Sequence, residues 1–178
     1  HSFPTLFSPL IPYWYCGRMI SMKKVLLVII LTLFVASEIY AFDENFPKFK
    51  IVNLFDEKES ISNTKILDQV TLINFFASWC APCKAEHPLF FEIKEKYPNL
   101  FILGIDMQDT NKDALSFLNK DGNPYDYVGV DKFGFVAVEF GVIGLPETFL
   151  VNKAGKIIYK YLGPLTKEII KNELEPFL

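Results

Sequence analysis

The clearest pattern in the chain is an exchange between fully apolar runs and segments that keep their apolar residues on one helical face. "VTLINFFA", Val70 to Ala77, and "LFILGIDM", Leu100 to Met107, are near-continuous and rich in β-branched and aromatic residues, the signature of strands covered on both faces. Between them, Pro82 to about Tyr97 carries Ala85, Leu89, Phe90 and Ile93 at helical spacing, with Lys84, Glu92, Lys94, Glu95 and Lys96 opposite and Pro98 as the stop. "DTNKDALSFLNK" predicts a second helix, capped by Asp109 or Thr110 and closed by the turn Gly122-Asn123-Pro124. The order is β-α-β-α.

On either side of this unit the periodicity is shorter. "FKIVNLFD", Phe49 to Asp56, predicts an earlier strand, and "EKESISNTKILDQ" a polar connection with at most a short helical turn. "YDYVGVD" predicts a short strand and "KFGFVAVEFGV" a helical turn or short helix; "PETFLV", "KAGK" and "KIIYKYLG" then read as a hairpin. "TKEIIKNELEPF" closes the chain as an amphipathic helix that Thr166 can cap. With no internal repeat or low-complexity tract, one α/β domain over residues 42–178 is the reading.

The N-terminus follows another grammar. Met22-Lys23-Lys24 precedes "VLLVIILTLFVA", Val25 to Ala36, a charged start and an apolar run that mark residues 22–41 as a signal peptide or signal anchor. Ala41 suits a cleavage site, whereas Ile39 is larger than the residue such a site prefers. Either outcome places the domain outside the cytoplasm, and the anchor reading keeps it on the cytoplasmic membrane. Residues 1–21 begin with His1, hold three prolines without periodicity, and read as an upstream non-native extension.

Composition then narrows the chemistry. The chain has 178 residues, 22% of them charged, with a net charge of −3 and an estimated pI near 5.4. Its basic residues are scattered among acidic ones, which argues against nucleic acid as a partner. From Phe42 onward 15 lysines face 20 acidic residues, a net charge of −5, and the cysteines are two, Cys80 and Cys83, in "FFASWCAPCKAEHP".

A structural zinc site wants four Cys or His ligands, and beyond this pair the exported part offers only His87, so no metal or other cofactor is assigned. A purely structural disulfide with two intervening residues closes too small a loop to remove much unfolded-state entropy. Redox chemistry fits better. A cysteine at a helix mouth is bathed in the positive end of the dipole, which favours thiolate, and a second cysteine one turn on can attack a mixed disulfide. Cys80 is therefore the expected nucleophile and Cys83 the resolving thiol, with Pro82 suited to the first helical turn.

Through Trp79-Cys80-Ala81-Pro82-Cys83 the sequence resembles the thioredoxin superfamily. Through "WCAPCKAEHP", "GNPY" at Gly122 to Tyr125 and above all "GVIGLPETFLV" at Gly141 to Val151, it resembles the DsbE/CcmG-type thiol:disulfide interchange proteins of cytochrome c maturation. The resemblance implies a thioredoxin-like fold, a central mixed β-sheet flanked by helices, behind the N-terminal signal or anchor segment. It also implies a cis Pro146 facing the cysteine pair, which agrees with an X-Pro bond entering a strand, and acidic residues Glu86 and Glu147 near the site. Asn74, six residues before Cys80, stands where general thioredoxins carry a buried Asp. His87 is expected as a solvated surface side chain, and Trp79 as both packing and substrate-facing surface.

Ala81 and Pro82 offer the Cys80 sulfur no side-chain donor, and nearby carboxylates disfavour its thiolate, so the expected direction is reduction. The resemblance implies apocytochrome c, through its Cys-x-x-Cys-His thiols, as client, and a DsbD- or CcdA-type membrane protein as electron donor. The alternatives are a general periplasmic thioredoxin-like reductase and a thiol-holding binding chaperone for apocytochrome.

Overall fold

The computed structural model describes residues 47–178; the upstream extension and the signal or anchor segment read from the sequence lie outside them. Among the described residues seven strands form one sheet: β1 (Lys50–Asn53), β2 (Ser60–Ser62), β3 (Thr71–Phe76), β4 (Phe101–Met107), β5 (Tyr127–Asp131), β6 (Glu147–Val151) and β7 (Ile157–Leu162), in the spatial order β2-β1-β5-β4-β3-β6-β7. The β3–β4 and β4–β5 pairs are parallel and all the others antiparallel, so the sheet is mixed. Helix α1 (Ala81–Lys96) links β3 to β4, α2 (Asn111–Asp121) links β4 to β5, and the short α3 (Phe135–Glu139) precedes the β6–β7 hairpin.

The two strands read as covered on both faces are so. Every residue of β3 is buried. Leu72 and Phe76 point to one side, where they pack with Phe90 and Ile93 of α1, Phe117 and Leu118 of α2, and Leu174 near the C-terminus. Ile73 and Phe75 point to the other, against Val136, Ala137 and Phe140 of the α3 segment. There Phe75, Phe140 and Phe149 meet edge to face, with centroids 5.2 to 5.6 Å apart, the arrangement that ring quadrupoles favour.

Three local readings are corrected. The polar connection after β1 contains strand β2, whose Ile61 is fully buried while Ser60 and Ser62 are half-buried, followed by a 3₁₀ turn at Asn63–Ile66. A strand with a single apolar residue leaves little period-2 signal. The closing helix is one α turn, Lys167–Ile169, that widens to π-type spacing at Ile170–Leu174 and tightens to 3₁₀ at Glu175–Phe177. Pro176 cannot donate a helical hydrogen bond there. In α1, Ala85 is exposed, and the buried face is formed by Cys83, Glu86, His87, Phe90 and Ile93. The predicted caps hold: Thr110 Oγ1 accepts from Asp113 N–H at 3.1 Å and Thr166 Oγ1 from Ile169 N–H at 3.2 Å. Among the described residues no helix is long and apolar enough to cross a membrane.

Candidate active site

The site lies where β3 gives way to α1. Ala77 to Trp79 form a turn closed by Cys80 N–H on the Ala77 carbonyl at 3.1 Å, and Cys80 is the N-cap residue of α1 with extended backbone. Its Sγ accepts from the Cys83 N–H at 3.2 Å, one of the orphan donors of the first turn. Pro82, with no N–H to satisfy, occupies that same turn. Cys80 and Cys83 are joined by a disulfide, with Cα atoms 5.3 Å apart. Their exposures, 4% and 3%, do not distinguish them. What separates them is position: Cys80 is at the cap and Cys83 lies inside the first turn.

Around the pair, Ala81 and Pro82 are exposed, and Trp79 is 58% exposed with its indole N–H donating to the Gln108 carbonyl at 3.2 Å. The Leu145–Pro146 bond is cis. Pro146 leads into β6, whose Glu147 pairs with Phe75 near the end of β3, so the proline stands at the sheet end that carries the cysteines.

Glu86 lies three residues beyond Cys83, on the same face of α1. It is almost fully buried and accepts from Asn74 Nδ2 at 2.9 Å and from Leu165 N–H at 2.6 Å. Asn74 also donates to Thr148 Oγ1 at 3.1 Å and accepts from Tyr125 O–H at 2.9 Å. Burial raises the Glu86 carboxyl from 4.5 to about 7, against the pull of the Leu165 and Asn74 bonds. The position of the usual thioredoxin Asp thus holds a neutral amide, and a carboxyl reaches it from the helix.

Glu147 sits elsewhere. In register with Phe75, it lies on the opposite face from Asn74 and Glu86. It is fully buried, accepts from Ile143 N–H at 3.0 Å and pairs with Lys160 Nζ at 2.8 Å; Lys160 also donates to the Gly141 carbonyl at 3.0 Å. These bonds tie the Gly141–Ile143 stretch to the sheet ahead of Pro146.

His87 is buried, not solvated. Its Nε2 lies 2.9 Å from the Gly122 carbonyl, and its ring meets Phe91, Phe117 and Tyr125. Burial lowers its pKa, so the neutral ring donates Nε2–H to that carbonyl. Gly122, at φ 87°, allows the turn that brings the carbonyl there. Sequence reasoning also missed Tyr125, which links Asn74 to the aromatic cluster. Its ring stacks on Phe76 at 5.1 Å in space that Gly104 leaves open, where a Cβ would come within 2.8 Å of it. Two acids were missed as well: the fully buried Asp106, and Asp109, which accepts from Ser78 N–H at 2.6 Å. The one available signal was Asp106 itself, an acid inside an otherwise apolar strand. Among the described residues no group of three or more His, Cys, Asp or Glu side chains is gathered to hold a metal.

The Redoxin family model matches residues 42–175. The thiol:disulfide interchange protein CycY of Rhizobium leguminosarum bv. viciae is 42% identical over 117 residues, covering 66% of this chain and 62% of the relative. The thiol:disulfide interchange protein DsbE of Allochromatium vinosum is 31% identical over 136 residues, covering 76% and 75%. The matched stretch spans 62% of the first of these relatives, less than two thirds of its length. Among solved structures, a thiol-disulfide oxidoreductase from Bacteroides fragilis NCTC 9343 shares the fold, with a TM-score of 0.63 and 24% identity over 75% of this chain and 99% of that one. The extent of these matches, on a thioredoxin-like sheet with a helix-capping cysteine pair, places the chain in the redoxin family, among the DsbE-type thiol:disulfide interchange proteins.

Proposed function

We propose that the chain is an exported protein-disulfide reductase that keeps the Cys-x-x-Cys-His thiols of apocytochrome c reduced during cytochrome c maturation. The observation that carries the reading is the placement of Cys80 as the cap of a 16-residue helix, bonded to Cys83 N–H, with the buried Glu86 carboxyl on the face behind it. The helix start favours a thiolate on Cys80. The acidic surroundings oppose it, which supports a reductant more than an oxidant.

In the reduced protein the Cys80 thiolate attacks one sulfur of the client disulfide. A Cys80–client bond forms, the client S–S bond breaks, and the second client sulfur leaves as a thiolate that takes up a proton. Cys83 then loses its proton and attacks Cys80 Sγ; the Cys80–client bond breaks, the client sulfur first attacked leaves as a thiolate that takes up a proton, and the Cys80–Cys83 disulfide remains. Two electrons have passed to the client, whose two thiols take up two protons, one matched by the proton Cys83 gives up and one drawn from solvent because Cys80 reacts as a thiolate. Glu86, raised to about 7 and one helical turn beyond Cys83, is suited to take the Cys83 proton. The exposed Trp79 and the Pro146 backbone frame the approach to the pair.

A DsbD- or CcdA-type membrane donor returns the electrons. Residues 1–21 are an upstream extension, 22–41 a signal anchor retained in the cytoplasmic membrane, and 42–178 the redox domain on its periplasmic side. Attachment raises the effective concentration of donor and domain for each other. Equilibration with glutathione buffers tests the direction: the couple should lie nearer the thioredoxin value of about −270 mV than the about −120 mV of a strong oxidant. A disulfide already reduced at a poise of about −150 mV contradicts the reading.

A further inference from the structure

The sheet face that carries the disulfide also holds a carboxyl for which the exchange reaction has no use. Asp106 stands on β4 in register with Phe76 of β3 and Val130 of β5, fully buried, and no donor among the described residues reaches either of its oxygens. What faces it is a second acid, Asp109. Two ionised carboxylates have no hydrogen to share, whereas one proton between them makes an O–H···O bond. Asp109 already uses both oxygens as acceptors, Oδ2 for Ser78 N–H at 2.6 Å and Oδ1 for Thr110 N–H at 2.8 Å, so the proton belongs on Asp106.

The Ser78 bond gives this pair a reach into the site. Asp109 holds the backbone two residues before Cys80, and the neighbouring Gln108 carbonyl accepts the Trp79 indole N–H. Gln108 has φ 52°, a conformation uncommon for a non-glycine residue. The loop after β4 is thus a clamp on the Ser78–Trp79 approach to the nucleophile.

We propose that Asp106 is a positioning residue for the dithiol: kept neutral in the core, it donates its carboxyl proton to Asp109 and so holds the Gln108–Asp109 loop on the backbone that leads into Cys80. Losing that proton sets two carboxylates against each other with no donor between them, and the clamp loosens.

Burial, and next the charge of Asp109, push the Asp106 carboxyl up from 3.8 to about 8. The clamp is therefore intact through neutral pH and is lost as pH rises through about 8. Besides Asp109, the groups facing Asp106 are Tyr125, before β5, and beyond it Glu86 and His87 of α1. Lys84 lies over the Phe117 ring, Asp113 of α2 accepts from Thr110 O–H, and Asp131 of β5 accepts from Ala137 N–H on the other face of the sheet. None of these supplies a cation bonded to Asp106 among the described residues.

The test uses the full-length oxidised protein, in which the Cys80–Cys83 pair cannot titrate. Carboxyl-carbon NMR of Asp106 and the amide resonance of Ser78 are followed from acid to alkaline pH. Both should move together with a midpoint near 8. Asp106→Asn, a neutral isostere that can still donate to Asp109, should abolish the Ser78 transition, and Asp109→Asn should lower the Asp106 midpoint. In the reduced protein, Asp106→Asn should also remove the alkaline break from the pH profile of Cys80 alkylation. An Asp106 midpoint in the ordinary carboxylate range, or a Ser78 transition that persists in Asp106→Asn, overturns the proposal. If Asp106→Asn does not fold, the wild-type midpoint and its change in Asp109→Asn decide. The oxidised-state titration involves no client, so it stands or falls apart from the reductase reading.

Discussion

Replacing Glu86 with Gln should flatten the dependence of stability on pH. The carboxyl is almost fully buried, and burial raises it from 4.5 to about 7 despite the N–H groups of Leu165 and Asn74 that point at it. Between those two values the folded chain holds a proton that the unfolded chain has released. Stability supplied by the neutral acid is therefore complete below pH 4.5 and is lost as pH rises through about 7. At about 1.4 kcal/mol for each pH unit, the loss is about 3 kcal/mol in all, of which about 2.5 kcal/mol falls between about pH 5 and about pH 8.

Gln is neutral throughout, so its contribution is flat. Its amide can accept from one of the two donors while its NH₂ opposes the other, costing about 1–2 kcal/mol. The variant should be slightly the less stable protein at about pH 5 and the more stable one, by about 1–2 kcal/mol, at about pH 8. Urea unfolding of both oxidised proteins at the two pH values measures this, and the contribution of Asp106, common to both, cancels in the comparison. An equal pH dependence in the two proteins would refute the assignment of a buried, proton-bearing Glu86.

Other outcomes follow from the same contacts. Tyr125→Phe deletes the O–H that Asn74 Oδ1 accepts and leaves a buried acceptor without it, so urea unfolding should read a loss of about 1–3 kcal/mol. Lys160→Met removes the cation paired with the fully buried Glu147, and calorimetry should find about 3 kcal/mol of destabilisation, partly recovered by adding Glu147→Gln. With limiting alkylating reagent the reduced protein should be marked at Cys80 before Cys83, the order expected of a thiolate at the helix cap. Fractionation with N-terminal sequencing should find the protein on the membrane, and a soluble form starting at Phe42 would refute retention.

The elements that repeat a simple period were legible in the sequence. The apolar strands β3 and β4, helices α1 and α2 and the β6–β7 hairpin announce themselves in side-chain spacing, and Cys80 and Cys83 by standing at a strand-to-helix junction. What escaped depends on residues far apart in the chain. His87 is buried because the Gly122 turn arrives from 35 residues away. Glu86 is buried because Leu165 closes over it from 79 residues away. In a charged, amphipathic segment such side chains read as solvated until the partner is known. Glu147 illustrates the same limit: "PETFLV" reveals the strand, but only the antiparallel register with β3 assigns the side chain to the face opposite the disulfide.

In the proposed reaction Cys80 carries the exchange and Cys83 resolves it, toward a client with a Cys-x-x-Cys-His motif. That assignment is tested most directly by trapping. A disulfide-bonded Cys-x-x-Cys-His peptide is offered to the reduced Cys83→Ser and Cys80→Ser proteins, and the adducts are mapped by mass spectrometry. A stable mixed disulfide through Cys80 is expected in Cys83→Ser, and little or none in Cys80→Ser. A comparable or stronger adduct through Cys83 would contradict it.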